Sequence, residues 1–275
     1  MDNPPKIEQI DPKTLFKKDS NGYLLPEGKE SNIISPWKEV VGKVKNVYLD
    51  TYGDEIVSIY VSGSVARGVP GKLSDLDTFA ILKRDVSEEE NSNFSKKVYQ
   101  ELDPNKNTLP KLDSRLLPLS SIIGDNADFR DQFILKLLSA PVYGEDLAHK
   151  LPNFKADKDT AKKLMGNSNK SIQRAKEIFQ NTDDPSRIKN ICRWIMKKFM
   201  KNCFYPIMAK EEVYTNSPET ALILFSKYFP EKTQVMKQVY DLCNEPSASK
   251  EEIIKVIDEI SPWLNDQVEK LRKSD

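Results

Sequence analysis

Histidine occurs once in this chain, as His149, and cysteine three times, as Cys192, Cys203 and Cys243 without CxxC spacing. Zinc chemistry and Ser-His or Cys-His catalysis need imidazoles or thiolates in clusters, so those classes have almost no material here. The three thiols read as buried groups of a reducing compartment. No apolar run approaches the ~20 residues needed to cross a bilayer, and the opening MDNPPKIEQ lacks the basic-then-apolar order of a signal peptide. The expected location is therefore the cytoplasm, with no membrane partner. A charge surplus is missing as well, since 42 Lys and Arg balance 42 Asp and Glu. A protein whose main partner is the nucleic-acid backbone needs a basic excess or stripe, which makes nucleic acid an unexpected partner.

The informative stretch runs from Ser62 to Asp77, SGSVARGVPGKLSDLD. Ile56, Val57, Ile59, Tyr60 and Val61 before it form a β-branched and aromatic run of strand type, so Gly63 and Ser64 lie where a strand turns into the next element. Glycine there lets a ligand approach the backbone, and the amides of Ser64 and Val65 are placed to meet phosphate oxygens. Leu73 to Leu82 predicts a second strand. Strand alternation then puts Leu76, Thr78 and Ala80 on one face and Asp75, Asp77 and Phe79 on the other, with the two carboxylates ~7 Å apart. Like charges on one half-buried face repel unless a cation compensates, which points to a metal-phosphate site.

Gly-Ser after an apolar strand, a short gap, and Asp-x-Asp in the next strand resemble the DNA polymerase β-like nucleotidyltransferase superfamily. Gly63, Ser64, Asp75 and Asp77 match its signature, and GSVARG with SDLDTFAIL is most similar to the bacterial branch of aminoglycoside and lincosamide nucleotidyltransferases. The strong match covers only about thirty residues. The resemblance implies a third carboxylate on a later strand of the same sheet. Asp113, in LPKLDSRLLPL, is the choice over Asp103, Asp125 and Asp128, which read as loop charges. It also implies two Mg²⁺ ions held by Asp75, Asp77 and Asp113, ATP as the nucleotide, and transfer of AMP to a hydroxyl acceptor, a small molecule ahead of a protein. Ser64 would orient the terminal phosphates. Arg67 adds a cation there or serves an ion pair, and the general base is Asp113 or Glu145. Two other readings are a protein AMP-transferase of toxin–antitoxin type and a non-catalytic nucleotide-binding module.

A chain of 275 residues is long enough for two cores. The expected fold is α+β: a small mixed β-sheet nucleotidyltransferase domain over residues 1–150, then an all-helical C-terminal domain over 151–275, with the cleft between them. In the first part, helical periodicity predicts Trp37–Tyr52, Ser87–Leu102 and Phe129–Ser139, strands are placed at Leu73–Leu82 and Leu109–Leu119, and PVYGED reads as a turn. In the second part a segment near Asp159–Gln180 precedes the longest helix, Arg187–Glu211, and a last stretch, Glu251–Leu271, is expected to break near Pro262. Arg193, Lys197 and Lys201 recur every four residues beside the apolar stripe of the long helix. They form either a solvated face or a grip on the nucleotide triphosphate.

Overall fold

The alternating run around the Gly-Ser turn folds as the centre of a four-stranded sheet in the computed structural model, which describes residues 10–71, 74–102, 111–125, 127–165 and 168–273. The chain divides into two compact units, 25–153 and a second made of 154–275 with 1–24. The opening residues thus group with the helical unit, whereas the sequence reading placed them with the sheet. Phe16 shows why. Its ring meets Tyr214 edge-on at 4.9 Å, and its amide donates to the Tyr214 carbonyl.

In the first unit the order is α1 (Trp37–Tyr52), β1 (Ile56–Ser62), α2 (Gly63–Ala66), β2 (Leu76–Leu82), α3 (Glu88–Leu102), β3 (Leu112–Pro118), α4 (Phe129–Leu138) and β4 (Ser139–Gly144). The sheet order is β3-β2-β1-β4. β1 pairs antiparallel with β2 and β4, while β2 and β3 run parallel. A parallel pair cannot be joined by a tight turn, and α3 lies in the connection between them. One sheet face packs Ile59, Val61, Leu76, Ala80 and Leu116 against Val44, Val47 and Tyr48 of α1 and Phe94 and Val98 of α3. The other buries Tyr60, Phe79, Ile81 and Leu117 with Leu135 of α4 and with Ile122, Leu147 and Leu151. β2 therefore alternates as its sequence predicts.

Two features of the sheet differ from expectation, for identifiable reasons. β2 begins at Leu76, which pairs with Leu112 of β3, and its pairing with β1 begins only at Asp77, opposite Ser62. Asp75 thus precedes the strand. Pro141 and Gly144 made the segment after α4 look like a turn, yet it pairs with β1 as β4. β4 is an edge strand, where a proline that cannot donate to a ladder is tolerated.

The second unit is helical: α5 (Lys158–Leu164), α6 (Ser168–Gln180), α7 (Pro185–Glu211), α8 (Pro218–Tyr228), α9 (Thr233–Asn244) and α10 (Lys250–Lys273). Side-chain caps start several of them, Asp157 for α5, Asp184 for α7 and Ser217 for α8, each accepting an otherwise orphaned backbone N–H. The stripe of α7 is buried as expected at Ile188, Cys192, Ile195, Phe199, Cys203 and Ile207. α10 runs through Pro262 without a break. Its buried face, Ile253, Val256, Ile257, Ile260, Leu264 and Val268, continues on both sides of the proline. At roughly 1.5–3 kcal/mol per buried aliphatic side chain, that face outweighs the ~3 kcal/mol cost of an interior proline. All three cysteines are free and buried, and among the described residues no helix is long and apolar enough to cross a membrane.

Candidate active site

The site is built where β1 ends. Ser62 is still extended, and Gly63 takes φ +74°, a conformation that side chains other than glycine's rarely adopt, to start α2. Space is as restrictive as the backbone angle: a Cβ at Gly63 would stand 2.9 Å from Asp77 Oδ2. The carboxylate of Asp77 therefore lies directly against the Gly-Ser turn.

The sheet register supplies the second acid. Ser62 pairs with Asp77 and Asp77 with Asp113, so three residues form one rung across β1, β2 and β3. Residues paired across a rung project to the same face, and neighbouring strands lie ~4.8 Å apart. Asp77 is half-buried and Asp113 exposed. Asp75 stands two residues before Asp77 on the approach to β2, also half-buried. Among the described residues no three carboxylates, imidazoles or thiols already gather as a metal cage. The paired acids are instead two carboxylates on one face of the sheet. Mg²⁺ suits such a set, since it is commonly held by one or two carboxylates together with phosphate oxygens and water.

The loop from α2 to β2 is tied back onto the turn. Ser64 Oγ donates to Ser74 Oγ at 2.9 Å, the Gly71 amide donates to the same Ser74 oxygen at 2.9 Å, and the Val69 amide donates to the Ser64 carbonyl. Ser64, assigned to phosphate by its sequence, thus gives its one proton to Ser74 in this structure. Arg67 is likewise engaged: its Nε meets Glu27 Oε2 at 2.6 Å, with side chains only 13% and 26% exposed. Of the two sequence-based readings of Arg67, the ion pair is the one the structure displays.

Two residues after Asp113, Arg115 pairs in register with Phe79 and reaches Asp131 of α4 at 3.5 Å. Burial pushes the Asp131 carboxyl up from its ordinary range, Arg115 draws it back, and Asp128 adds to the rise. Sequence reasoning did not assign Arg115, although its position two residues beyond Asp113 on a strand was a legible signal. Ser74 was missed too, because a serine in a loop carries no pattern.

Glu145 is displaced from the site, which corrects its candidacy as general base. Its amide donates to Val57 O, five residues along β1 from Ser62, or about 17 Å at strand rise. Its carboxylate pairs with Lys150 at 2.6 Å. Glu145→Gln is accordingly expected to leave kcat and KM unchanged in steady-state assays. Of the competing acids, Asp128 caps α4 by accepting from the Asp131 amide, Asp125 sits in a turn, and Asp103 lies outside the described residues.

Arg193, Lys197 and Lys201 form one stripe of α7, with Arg193 and Lys197 half-buried and Lys201 exposed. All three act electrostatically on Cys243 of α9, whose thiol burial pushes up and these cations pull down. Arg193 Nε is buried without a hydrogen-bond partner among the described residues.

Residues 41–135 match the family model of the nucleotidyltransferase domain. That span reaches from α1 into α4 and holds Gly63, Ser64, Asp75, Asp77 and Asp113. No curated protein matches the sequence. Among solved structures the fold is similar to that of spectinomycin adenyltransferase AAD(9) from Enterococcus faecialis with ATP and spectinomycin, with a TM-score of 0.54 and 12% identity over 84% of this chain and 99% of that one. Residues 41–135 form a nucleotidyltransferase domain of the DNA polymerase β-like superfamily, and the protein that carries it is a nucleotidyltransferase.

Proposed function

We propose that the protein transfers AMP from ATP to a hydroxyl of a small, antibiotic-like molecule, with Mg²⁺ bound by Asp75, Asp77 and Asp113. The rung that sets Asp77 beside Asp113, against the Gly63 turn, carries the proposal. A solved structure of similar fold, titled with ATP and spectinomycin, supports the choice of nucleotide and acceptor class. Bound Mg²⁺, two ions by the family resemblance, would neutralise charge on the triphosphate and acidify the acceptor hydroxyl.

The chain's own residues divide the remaining work. Gly63 keeps the turn free of a side chain, so that the triphosphate reaches the backbone. Asp113, exposed on the edge strand, accepts the proton of the acceptor hydroxyl as its oxygen attacks the α-phosphorus. The bond from that phosphorus to the β-phosphate oxygen breaks, and pyrophosphate leaves. Arg115, anchored by Asp131 two residues beyond Asp113, holds positive charge on the same side of the sheet. A screen of small alcohols and aminocyclitols with ATP and Mg²⁺, following pyrophosphate, tests the reading. Acceptor-dependent release supports it, and a panel-wide absence of release counts against a small-molecule acceptor.

The helical unit's part in nucleotide binding belongs to the same proposal. Arg193, Lys197 and Lys201 are assigned to the polyphosphate, an assignment supported by their shared stripe of α7. Replacing all three by Gln is expected to weaken ATP binding far more than AMP binding, with a smaller loss at high salt, where screening already weakens the wild-type attraction. Calorimetry on a variant with a normal melting curve checks this. Equal ATP affinity at low salt would return the stripe to a structural role.

A further inference from the structure

Directly behind the carboxylate rung, on the opposite face of the sheet, three hydroxyls are buried in an otherwise apolar core. Tyr48 is 0% exposed, Thr78 3% and Ser114 1%. Thr78 follows Asp77, and Ser114 follows Asp113. Tyr48 OH lies 3.2 Å from Thr78 Oγ1, and Thr78 Oγ1 lies 3.0 Å from Ser114 Oγ. The Tyr48 hydroxyl donates to the Arg115 carbonyl at 3.1 Å. Thr78 Oγ1 also lies 3.5 Å from the Asp113 carbonyl, so the three hydroxyls and two carbonyls of β3 form one buried network. Burial pushes the Tyr48 phenol far up, which keeps it a neutral donor.

Apolar side chains of the same volume would fill this space without the cost of desolvating three hydroxyls, so stability alone is a poor explanation for them. Their location suggests another. β3 is an edge strand, paired on one side only, with β2. A one-residue slip of β3 would turn Asp113 into the core and Ser114 toward the site. The hydroxyl chain bridges α1, β2 and β3 at the Thr78–Ser114 rung, next to the Asp77–Asp113 rung that such a slip would dismantle.

We propose that Tyr48, Thr78 and Ser114 are positioning residues that hold Asp77 and Asp113 at the separation a bound divalent cation requires. The inference rests on the metal reading given under the proposed function. Its test is Mn²⁺ binding in the presence of the non-hydrolysable α,β-methylene analogue of ATP, read by electron paramagnetic resonance, with hydrogen exchange of β3 amides measured in the metal-free protein. Thr78→Val keeps the side-chain volume and removes the hydroxyl. It is expected to weaken Mn²⁺ binding about tenfold, the lower range for groups that orient metal ligands, and to speed exchange in β3. Ser114→Ala, a milder change with less risk to folding, is expected to shift both readouts in the same direction. Thr78→Ser, which retains the hydroxyl, is expected to restore wild-type affinity. A wild-type protein that takes up no Mn²⁺ overturns the metal site and this inference together. If the wild type binds Mn²⁺ and folded Thr78→Val and Ser114→Ala bind it equally well, the inference alone is overturned.

Discussion

Asp77→Asn is expected to lower the rate of nucleotidyl transfer on the order of a thousandfold while leaving the melting temperature close to wild type. Metal ions that neutralise a transferring phosphoryl group contribute several kcal/mol to the transition state, and each 1.36 kcal/mol is tenfold in rate. Asp77 is the acid that both touches the Gly63 turn and pairs with Asp113, so it is the residue on which the two halves of the site converge. Asparagine preserves its shape and leaves the backbone rung with Ser62 and Asp113 untouched. Asp75→Asn is expected to lose transfer as well. Steady-state pyrophosphate release, with circular dichroism melting as the control for folding, reads both variants. Near-normal turnover in folded Asp77→Asn would remove the metal assignment.

The second large effect is expected at Gly63. Valine there meets two obstacles: a backbone at φ +74°, and a carboxylate oxygen 2.9 Å from the new Cβ. A left-handed conformation costs an ordinary residue roughly 1–2 kcal/mol, and a β-branched one more. The contact forces Asp77 to move besides. The loss in triphosphate affinity is therefore expected to be at least about tenfold, the equivalent of ~1.4 kcal/mol. The sheet core contains no Gly63 side chain, so the far-UV spectrum is expected to persist. Calorimetric titration with ATP decides, and unchanged affinity would reduce the turn to a chain reversal without a ligand.

How far these features could be read in advance varied with their physical origin. α1 spans Trp37–Tyr52, as its period of apolar residues predicts, and β2 alternates as its letters do, because burial on one face writes itself into local sequence. The spacing of Asp75 and Asp77 predicts a shared side of one strand, yet Asp75 precedes β2. Spacing could not show that β1 stops pairing at Ser62, which leaves Asp77 alone of the two in a rung. That limit is set by a partner strand some fifteen positions away. Asp113 was legible as the lone acid in an apolar segment, but its alignment with Asp77 depends on the parallel register. β4 hid behind Pro141 and Gly144, whose turn propensity yields to pairing at a sheet edge. Arg67 illustrates the opposite difficulty: a cation beside a phosphate-type turn reads as a phosphate ligand or as half of an ion pair, and only the fold brings Glu27, forty positions earlier, against it. The chain Tyr48–Thr78–Ser114 had no local signature at all, since each hydroxyl acquires meaning only once three elements pack together.

The most direct test of the account follows which phosphate moves. The protein is incubated with Mg²⁺, a panel of small alcohols and aminocyclitols, and ATP radiolabelled at the α-phosphate in one series and at the γ-phosphate in another. The account predicts that the α label passes to a small-molecule product while the γ label leaves as pyrophosphate in equal amount, and that both changes vanish in Asp77→Asn. Transfer of the γ label to the acceptor, or release of inorganic phosphate without pyrophosphate, would contradict nucleotidyl transfer at the Gly63–Asp77–Asp113 site. An α label found only on protein would contradict the small-molecule acceptor.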